Sequence, residues 1–337
     1  MLSVFFIVAA LGVIVALAIP VISAKKLISS LDINFHGKNN AFSEVTFKTK
    51  DDKGRKISLS SKKASESKKD NFIFEDITLT FTMSNGENGT VSADLTKAIR
   101  ADQTLCEFTG NVRLKTDAGL SIETEKSLVD FTKKIASGND GITISRKDVK
   151  ASSQKYFFDI NKNILTLTGN VEGFLRTDRI TSDKMIINFA EEYGKSAKSM
   201  EAVGNAFYVA ANYRLRARKN ILHSGNNVEA RDEVILLYKK NGNHYDVRSD
   251  HMRATLDQYG VIDDIVATGS LLIKTKDAII RADRGVFKGD MVTVCDNVMV
   301  SGNQGDIFGN SATLDIRSGE ISINNSSGVM DDRKRTP

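Results

Sequence analysis

Four histidines, two cysteines and a few adjacent carboxylates are the side chains through which this chain could do chemistry. His244 and His251 share one short stretch with Asp246 and Asp250, whereas His36 and His223 stand apart. A zinc site draws its ligands from closely spaced Cys and His pairs, and no such spacing occurs, so the stretch reads as a polar β-turn. Cys106 and Cys295 belong to no Cys-x-x-Cys pair and read as free thiols. Gly302-Asn303-Gln304-Gly305 is glycine-rich but opens no helix, and it reads as a turn rather than a phosphate-cradling loop. Asp263-Asp264 reads as a turn before it reads as a catalytic pair, and no Gly-x-Ser-x-Gly elbow is present. The sequence therefore assigns no catalytic residue, no metal and no cofactor.

With no chemistry to place, the charge and the elements carry the reading. The net charge of +5 and pI near 9.0 suit anionic partners such as phosphates, lipid headgroups or nucleic acid. Nucleic acid is disfavoured, because the chain has no Trp and its basic residues are scattered rather than interleaved with aromatics. Residues 1–24 contain no charged side chain and are followed by Lys25 and Lys26. A helix of about twenty apolar residues crosses a hydrocarbon core, so this stretch is expected to be a transmembrane anchor. A cleaved signal peptide is the alternative, with a shorter apolar core of about 7 to 15 residues preceded by positive charges. The positive-inside rule would put Lys25 and Lys26 in the cytoplasm, yet the long remainder reads as built for the other side of the membrane.

That remainder reads as β-structure. The only prolines, Pro20 and Pro337, lie outside it, and a continuous ladder has no use for proline except at edges and bulges. Alternation is clear in Ile77-Thr-Leu-Thr-Phe81, Val112-Arg-Leu114, Ile142-Thr-Ile144 and Leu165-Thr-Leu167. A Gly or Asp, usually followed by Asn, recurs roughly every thirty residues: Asp76, Gly110-Asn111, Gly138-Asn139, Gly169-Asn170, Gly204-Asn205, Asp232, Gly269 and Asp296-Asn297. Each is read as the tight turn that starts a strand, where Gly and Asn tolerate positive φ. Second strands such as Val91-Ser-Ala-Asp94, Ile180-Thr-Ser-Asp183 and Ile280-Arg-Ala-Asp283 follow in step. Strand pairs that cannot bury their own apolar faces are expected to stack into a long sheet-lined tube or sandwich.

The inner face is then assigned to Ile77, Leu79, Phe81, Val112, Leu114, Ile122, Ile142, Ile144, Leu165 and Leu167. Alternation identifies such a face and leaves open whether it is filled by its own packing or open to a ligand. Basic residues near strand ends, Arg113, Lys115, Arg176, Arg179, Arg214 and Arg216, are read first as solvated positions.

The Gly-Asn-Val starts with their second strands resemble the OstA-like repeats of lipopolysaccharide-transport proteins. Residues 151–323 resemble LptA. The apolar N-terminus, together with FKTKDDKGRKISLSSKKASES (47–67), FIFEDITLTFTM (72–83), VSADLTKAIR (91–100) and FTGNVRLKTDAGLSIETEKSLVDF (108–131), resembles LptC. The expected organisation is an anchor at 1–24, an LptC-like β-jellyroll at 25–150, an LptA/OstA-like β-jellyroll at 151–323 and a polar tail at 324–337. The resemblance implies a single-pass inner-membrane protein with its bulk in the periplasm. It further implies that lipopolysaccharide acyl chains lie against the ten inner-face residues. As partners it implies the inner-membrane lipopolysaccharide ABC transporter and other OstA-like jellyroll proteins, joined by edge-strand pairing. The alternatives are a structural or adhesive β-solenoid with a filled core and, last, a polysaccharide-acting β-helix, which would want carboxylates gathered on one face.

Overall fold

The computed structural model describes residues 41–50, 56–68, 71–82, 88–99, 105–117, 119–130, 133–146, 149–159, 161–175, 178–189, 197–210, 213–240, 242–257, 262–303 and 305–330. The expected anchor at 1–24 lies outside them. Among the described residues all regular structure is β, and no helix is long and apolar enough to cross a membrane. The chain forms two compact units: one takes in Ser3–Arg176 and Lys184–Lys198, the other Thr177–Asp183 and Ser199–Pro337.

In the first unit, β1 (Ala41–Lys50), β2 (Lys56–Lys68), β3 (Asn71–Thr82), β4 (Asn88–Ile99), β5 (Leu105–Thr116) and β6 (Leu120–Asp130) form an antiparallel meander. Two short strands then divide the far side of β6, β7 (Ile135–Gly138) beside Leu128–Asp130 and β8 (Ile142–Arg146) beside Leu120–Glu123. β9 (Val149–Ser153) pairs with β8 and β10 (Lys155–Asp159) with β7. β11 (Ile164–Leu175) pairs with both β9 and β10. Each short pair thus acts as one long strand interrupted in its middle.

The second unit begins in β12 (Asp178–Phe189), through Asp183, and continues with β13 (Ala197–Val203), β14 (Ala206–Val209), β15 (Tyr213–Ala217) and β16 (Asn220–Ser224). β14 pairs with β12 and β15, β13 pairs with β16, and both β15 and β16 lie against β17 (Asn227–Lys240). A meander follows through β18 (Asn243–Leu256), β19 (Ile262–Lys274), β20 (Ala278–Lys288), β21 (Met291–Gly302) and β22 (Gly305–Asp315). β23 (Ile321–Asn324) and β24 (Ser327–Met330) both pair with β22, so the stretch expected as a polar tail contributes a strand.

Most of the expected starts lie inside long strands instead, at Asp76, Gly110-Asn111, Gly169-Asn170, Asp232, Gly269 and Asp296-Asn297, whereas Gly138 ends β7 and Gly204-Asn205 stands just before β14. β5, β19 and β21 each carry one residue more than the neighbours on both sides, and β17 one more than β18. The surplus falls at Gly110-Asn111, Gly269-Ser270, Asp296-Asn297 and Asp232-Glu233, every one of which has positive φ. These are β-bulges, which bend the strand that carries them. The smooth neighbour supplies an Asp at the bend: Asn111, Asn205 and Asn297 donate through Nδ2 to Asp94, Asp183 and Asp283 at 2.8, 3.0 and 2.6 Å. A Cβ at Gly110 would lie 2.6 Å from Asp94 Oδ2, and one at Gly269 2.4 Å from Asp250 Oδ2, so the carboxylate needs glycine there. The repeating Asp of the second strands is therefore half of a bend built from two strands.

Candidate functional site

All ten residues assigned to the inner face are buried, from Val112 at 8% exposure to Leu165 and Leu167 at 0%. Cross-strand register joins several of them into one row across seven strands: Leu59, Leu79, Val91, Leu114, Ile122, Ile144 and Ala151. Each is apolar and buried. Burying one such branched side chain contributes roughly 1.5 to 3 kcal/mol, so the row is a main source of stability for the first unit. In the described state these side chains pack against protein, as a filled interior would.

Beyond the bend a second row runs through Ala64, Phe74, Thr96, Phe108 and Ser127. Past it Tyr156 pairs with Gly138 on one side and Leu167 on the other. The Tyr156 ring occupies the place a Cβ on Gly138 would need, 2.4 Å from its Cε1, and the hydroxyl donates to Ser127 Oγ at 2.7 Å. Burial pushes the Tyr156 phenol up to about 12, against the lowering effect of its bond with Ser127. Burial alone pushes the Cys106 thiol up to about 12, so the thiolate a nucleophile requires does not form near neutrality. Cys106 and Cys295 are both free.

In the second unit the corresponding inner row runs through Ile180, Tyr208, Leu215, Leu236, Val247, Ile273, Ile280 and Val300. On the other side of the bend alanine and glycine alternate with larger side chains: Ala202, Ile221, Ala230, Met252, Ala267, Gly285, Val294 and Ala312. Gly285 leaves the space into which Leu271 Cδ2 reaches, 2.6 Å from where a Cβ would be.

One step further out on that inner face, Tyr213, Tyr238 and Tyr245 lie directly opposite one another on β15, β17 and β18. Tyr213 stacks on Tyr208 with ring centroids 5.6 Å apart, and Tyr208 donates to Asp178 Oδ2 at 2.9 Å. Tyr245 donates to the Ile316 carbonyl at 2.8 Å. Burial raises the Tyr208 and Tyr213 phenols well above their ordinary range. A cleft of about 530 Å³ is lined by Tyr213, Tyr238 and Tyr245 and by Val209, Arg214, Leu237, Asp246 and Lys274, a row that register and alternation place on the opposite, exposed face of the same strands, with Lys239 and His244. The sequence reading did not single out this tyrosine rung. Its signal was present, since Tyr213, Tyr238 and Tyr245 each stand two residues from an alternating apolar position.

Of the basic residues named from the sequence, Arg214 lines the cleft and Arg113 pairs with Glu123 at 3.8 Å. Lys115, Arg179 and Arg216 are exposed, and Arg176 lies outside the described residues. His244 also lines the cleft, whereas His251 Nε2 meets Glu229 Oε1 at 2.6 Å. No cluster of three or more His, Cys, Asp or Glu that could hold a metal occurs among the described residues. Gly302 and Gly305 pair across the hairpin between β21 and β22, as a turn should. Asp263 and Asp264 stand within β19, so the turn expected for them is instead a strand start.

No curated protein matches the chain. Among solved structures it is similar to the crystal structure of LptH from Pseudomonas aeruginosa, described as the LptA-homologous periplasmic component of the conserved lipopolysaccharide transport device. The two are 8% identical, over 56% of this chain and 88% of that one, with a TM-score of 0.15. Residues 8–176, half of the sequence, match the family described as lipopolysaccharide-assembly, LptC-related. With that match over the β-meander whose inner row is apolar from end to end, the chain belongs to the LptC-related family of lipopolysaccharide-assembly proteins.

Proposed function

We propose that this protein is a membrane-anchored periplasmic scaffold that shelters lipopolysaccharide acyl chains against its inner face and hands them from the inner-membrane ABC transporter toward the outer membrane. The observation that carries the reading is the uninterrupted apolar row from Leu59 to Ala151 in a chain of this family. In the described state the row is packed, so a lipid must take the place of contacts between the walls. That exchange is nearly balanced, because methylene groups replace leucine and isoleucine side chains of the same polarity. The alternative, leaving the chain in water, exposes about 0.8 kcal/mol of apolar surface per methylene. No covalent bond is made or broken, and the protein acts as a non-enzymatic carrier. The second unit is assigned as an LptA-like module on its repeat of bulged and smooth strands, and the outer strands are assigned to pairing with other jellyroll proteins. The anchor at 1–24 keeps the assembly at the inner membrane.

The test is competition. Full-length protein in mild detergent, loaded with labelled lipopolysaccharide, should lose the label to intact lipopolysaccharide but not to its deacylated form. Equal competition by the deacylated form would refute an acyl-chain site, and no loading of the folded protein would favour the structural solenoid.

A further inference from the structure

We infer that the outer face of the second unit docks on the surface of an anionic phospholipid bilayer. The inference goes beyond the transport reading and rests on it only for a membrane within reach of the chain. One outer row crosses eight strands in register. Arg216, Arg248 and Arg281 occupy it on β15, β18 and β20, at every second strand, so neighbouring guanidinium groups spring from backbones about 9.5 Å apart. The strands between and beside them supply Ile235, Leu272 and Met299 on β17, β19 and β21, and Phe207 and Phe308 end the row on β14 and β22. From Phe207 to Met299 each residue stands between two buried neighbours in its strand, so its own side chain points outward. A second outer row, two residues along the same strands, adds Arg214, Leu237 and Lys274. Leu237 and Phe308 are 42% and 43% exposed.

The first unit shows that the fold does not ask for such a face. The outer row beside its inner one runs through Thr80, Thr90, Lys115, Ser121, Ser145 and Lys150, all polar. A contiguous set of outward apolar side chains marks an interaction surface, and the charge around it says what covers it. The two rows of the second unit hold five cations, Arg214, Arg216, Arg248, Lys274 and Arg281, against the carboxylates Asp246 and Asp306. Arg248 engages Asp246 at 2.8 and 3.0 Å, and among the described residues no ion pair occupies the other four cations. The acids of the bend, Asp232, Asp250 and Asp283 among them, border the row on one side; Arg218 holds Asp232 at 3.0 Å and Asn297 donates to Asp283 at 2.6 Å. Guanidinium groups pair with phosphate through two parallel hydrogen bonds, while the apolar side chains between them reach the acyl boundary below the headgroups. Each basic residue near an anionic bilayer adds about fivefold in partitioning. A protein partner would need acids and apolar groups at the same two-strand spacing, whereas a bilayer offers both at any spacing.

The test exploits the absence of Trp from the chain. Leu237→Trp and Phe308→Trp, each a single fluorophore at an exposed site, are compared with Thr80→Trp on the polar outer row of the first unit. Full-length protein is placed, one copy per disc, in phospholipid nanodiscs with brominated acyl chains, either zwitterionic or carrying anionic phosphatidylglycerol. The discs hold no lipopolysaccharide, so cargo cannot give the signal. In anionic discs Leu237→Trp and Phe308→Trp should lose most of their emission, and Thr80→Trp should keep its own. Adding Arg216→Glu with Arg281→Glu, both at exposed positions, should restore the emission. Raising salt to about 1 M, where screening shortens to about 3 Å, should do the same. Arg216→Lys with Arg281→Lys keeps the charge and should keep most of the loss. Full emission in anionic discs, equal loss in zwitterionic ones or equal loss from Thr80→Trp would overturn the assignment. Shielding of the same sites by a second copy of the chain, with no loss to bromine, would overturn it in favour of a protein interface. Inward acyl-chain adducts in the first unit beside such a failure leave the transport reading intact. Docking that persists without those adducts overturns the transport reading alone.

Discussion

The two units are written in one structural idiom and lined differently. Each alternates bulged and smooth strands, with Asn or Gly on the bulge and Asp beside it, as at Asn111 with Asp94 and Asn297 with Asp283. In the first unit the row on one side of the bend is made of leucine, valine and isoleucine almost to its end. In the second, a row of mostly large aliphatic side chains lies on one side of the bend and one of alanine, glycine and a few larger side chains on the other, and the outermost rung is tyrosine. The repeat thus dictates the bend, while the inward side chains decide what each unit can hold. An acyl chain asks only for apolar surface, and the first unit offers it.

The largest effects expected come from exchanging the two linings. Ile144→Ala empties part of the first unit's row and should cost about 2 to 5 kcal/mol in urea unfolding. Ala267→Leu overfills the alanine and glycine positions of the second unit, beside Gly285, and should cost about 1 to 3 kcal/mol. Equal tolerance of both changes would erase the contrast. The shared bend comes next. Gly110→Ala meets Asp94 and also forces a side chain into the left-handed region, at about 2 kcal/mol, whereas Gly119→Ala, with nothing within 4 Å, should show only the backbone cost of about 1. Gly269→Ala should behave like Gly110→Ala if the idiom is shared.

Smaller changes sharpen the interior. Tyr156→Phe and Tyr245→Phe each delete one buried hydroxyl bond, to Ser127 and to the Ile316 carbonyl, and each should cost about 1 kcal/mol by thermal melting. The smallest effect is in pH. Burial holds His223, in the second unit, below its ordinary value, so the folded protein keeps it neutral while the unfolded chain takes up a proton below about pH 6.5. Stability should therefore fall as pH drops from about 6.5 through the lower folded value, and His223→Phe should flatten that slope.

The class of fold and the inner face were legible because period-2 alternation holds on either side of each bend. Ile77, Leu79, Phe81, Val112, Leu114, Ile122, Ile142, Ile144, Leu165 and Leu167 all face inward and are buried. The strand lengths were not legible. A bulge adds a residue and lets three residues separate Phe108 from Val112, so alternation lapses where the chain is in fact continuous, and Gly110-Asn111 looks like a beginning. On the smooth strands the inward set changes phase across the same line, from Val91 and Ala93 to Thr96, which hides continuity a second time. Alternation puts each tyrosine of the rung on the inner face but does not show that the three are neighbours. Tyr213, Tyr238 and Tyr245 come together only through register, and register depends on partners that a single strand does not reveal.

The most direct test places a photoreactive residue at Leu79, Leu114, Ile144 or Leu167, with Thr78, Arg113, Thr143 and Thr166 on the opposite face as controls, and irradiates the full-length protein with lipopolysaccharide. Adducts at the inward positions and not at the outward ones are the predicted result. A folded, β-rich protein that gives no inward adduct would contradict the account, since its apolar row would then be a packed core that no lipid enters.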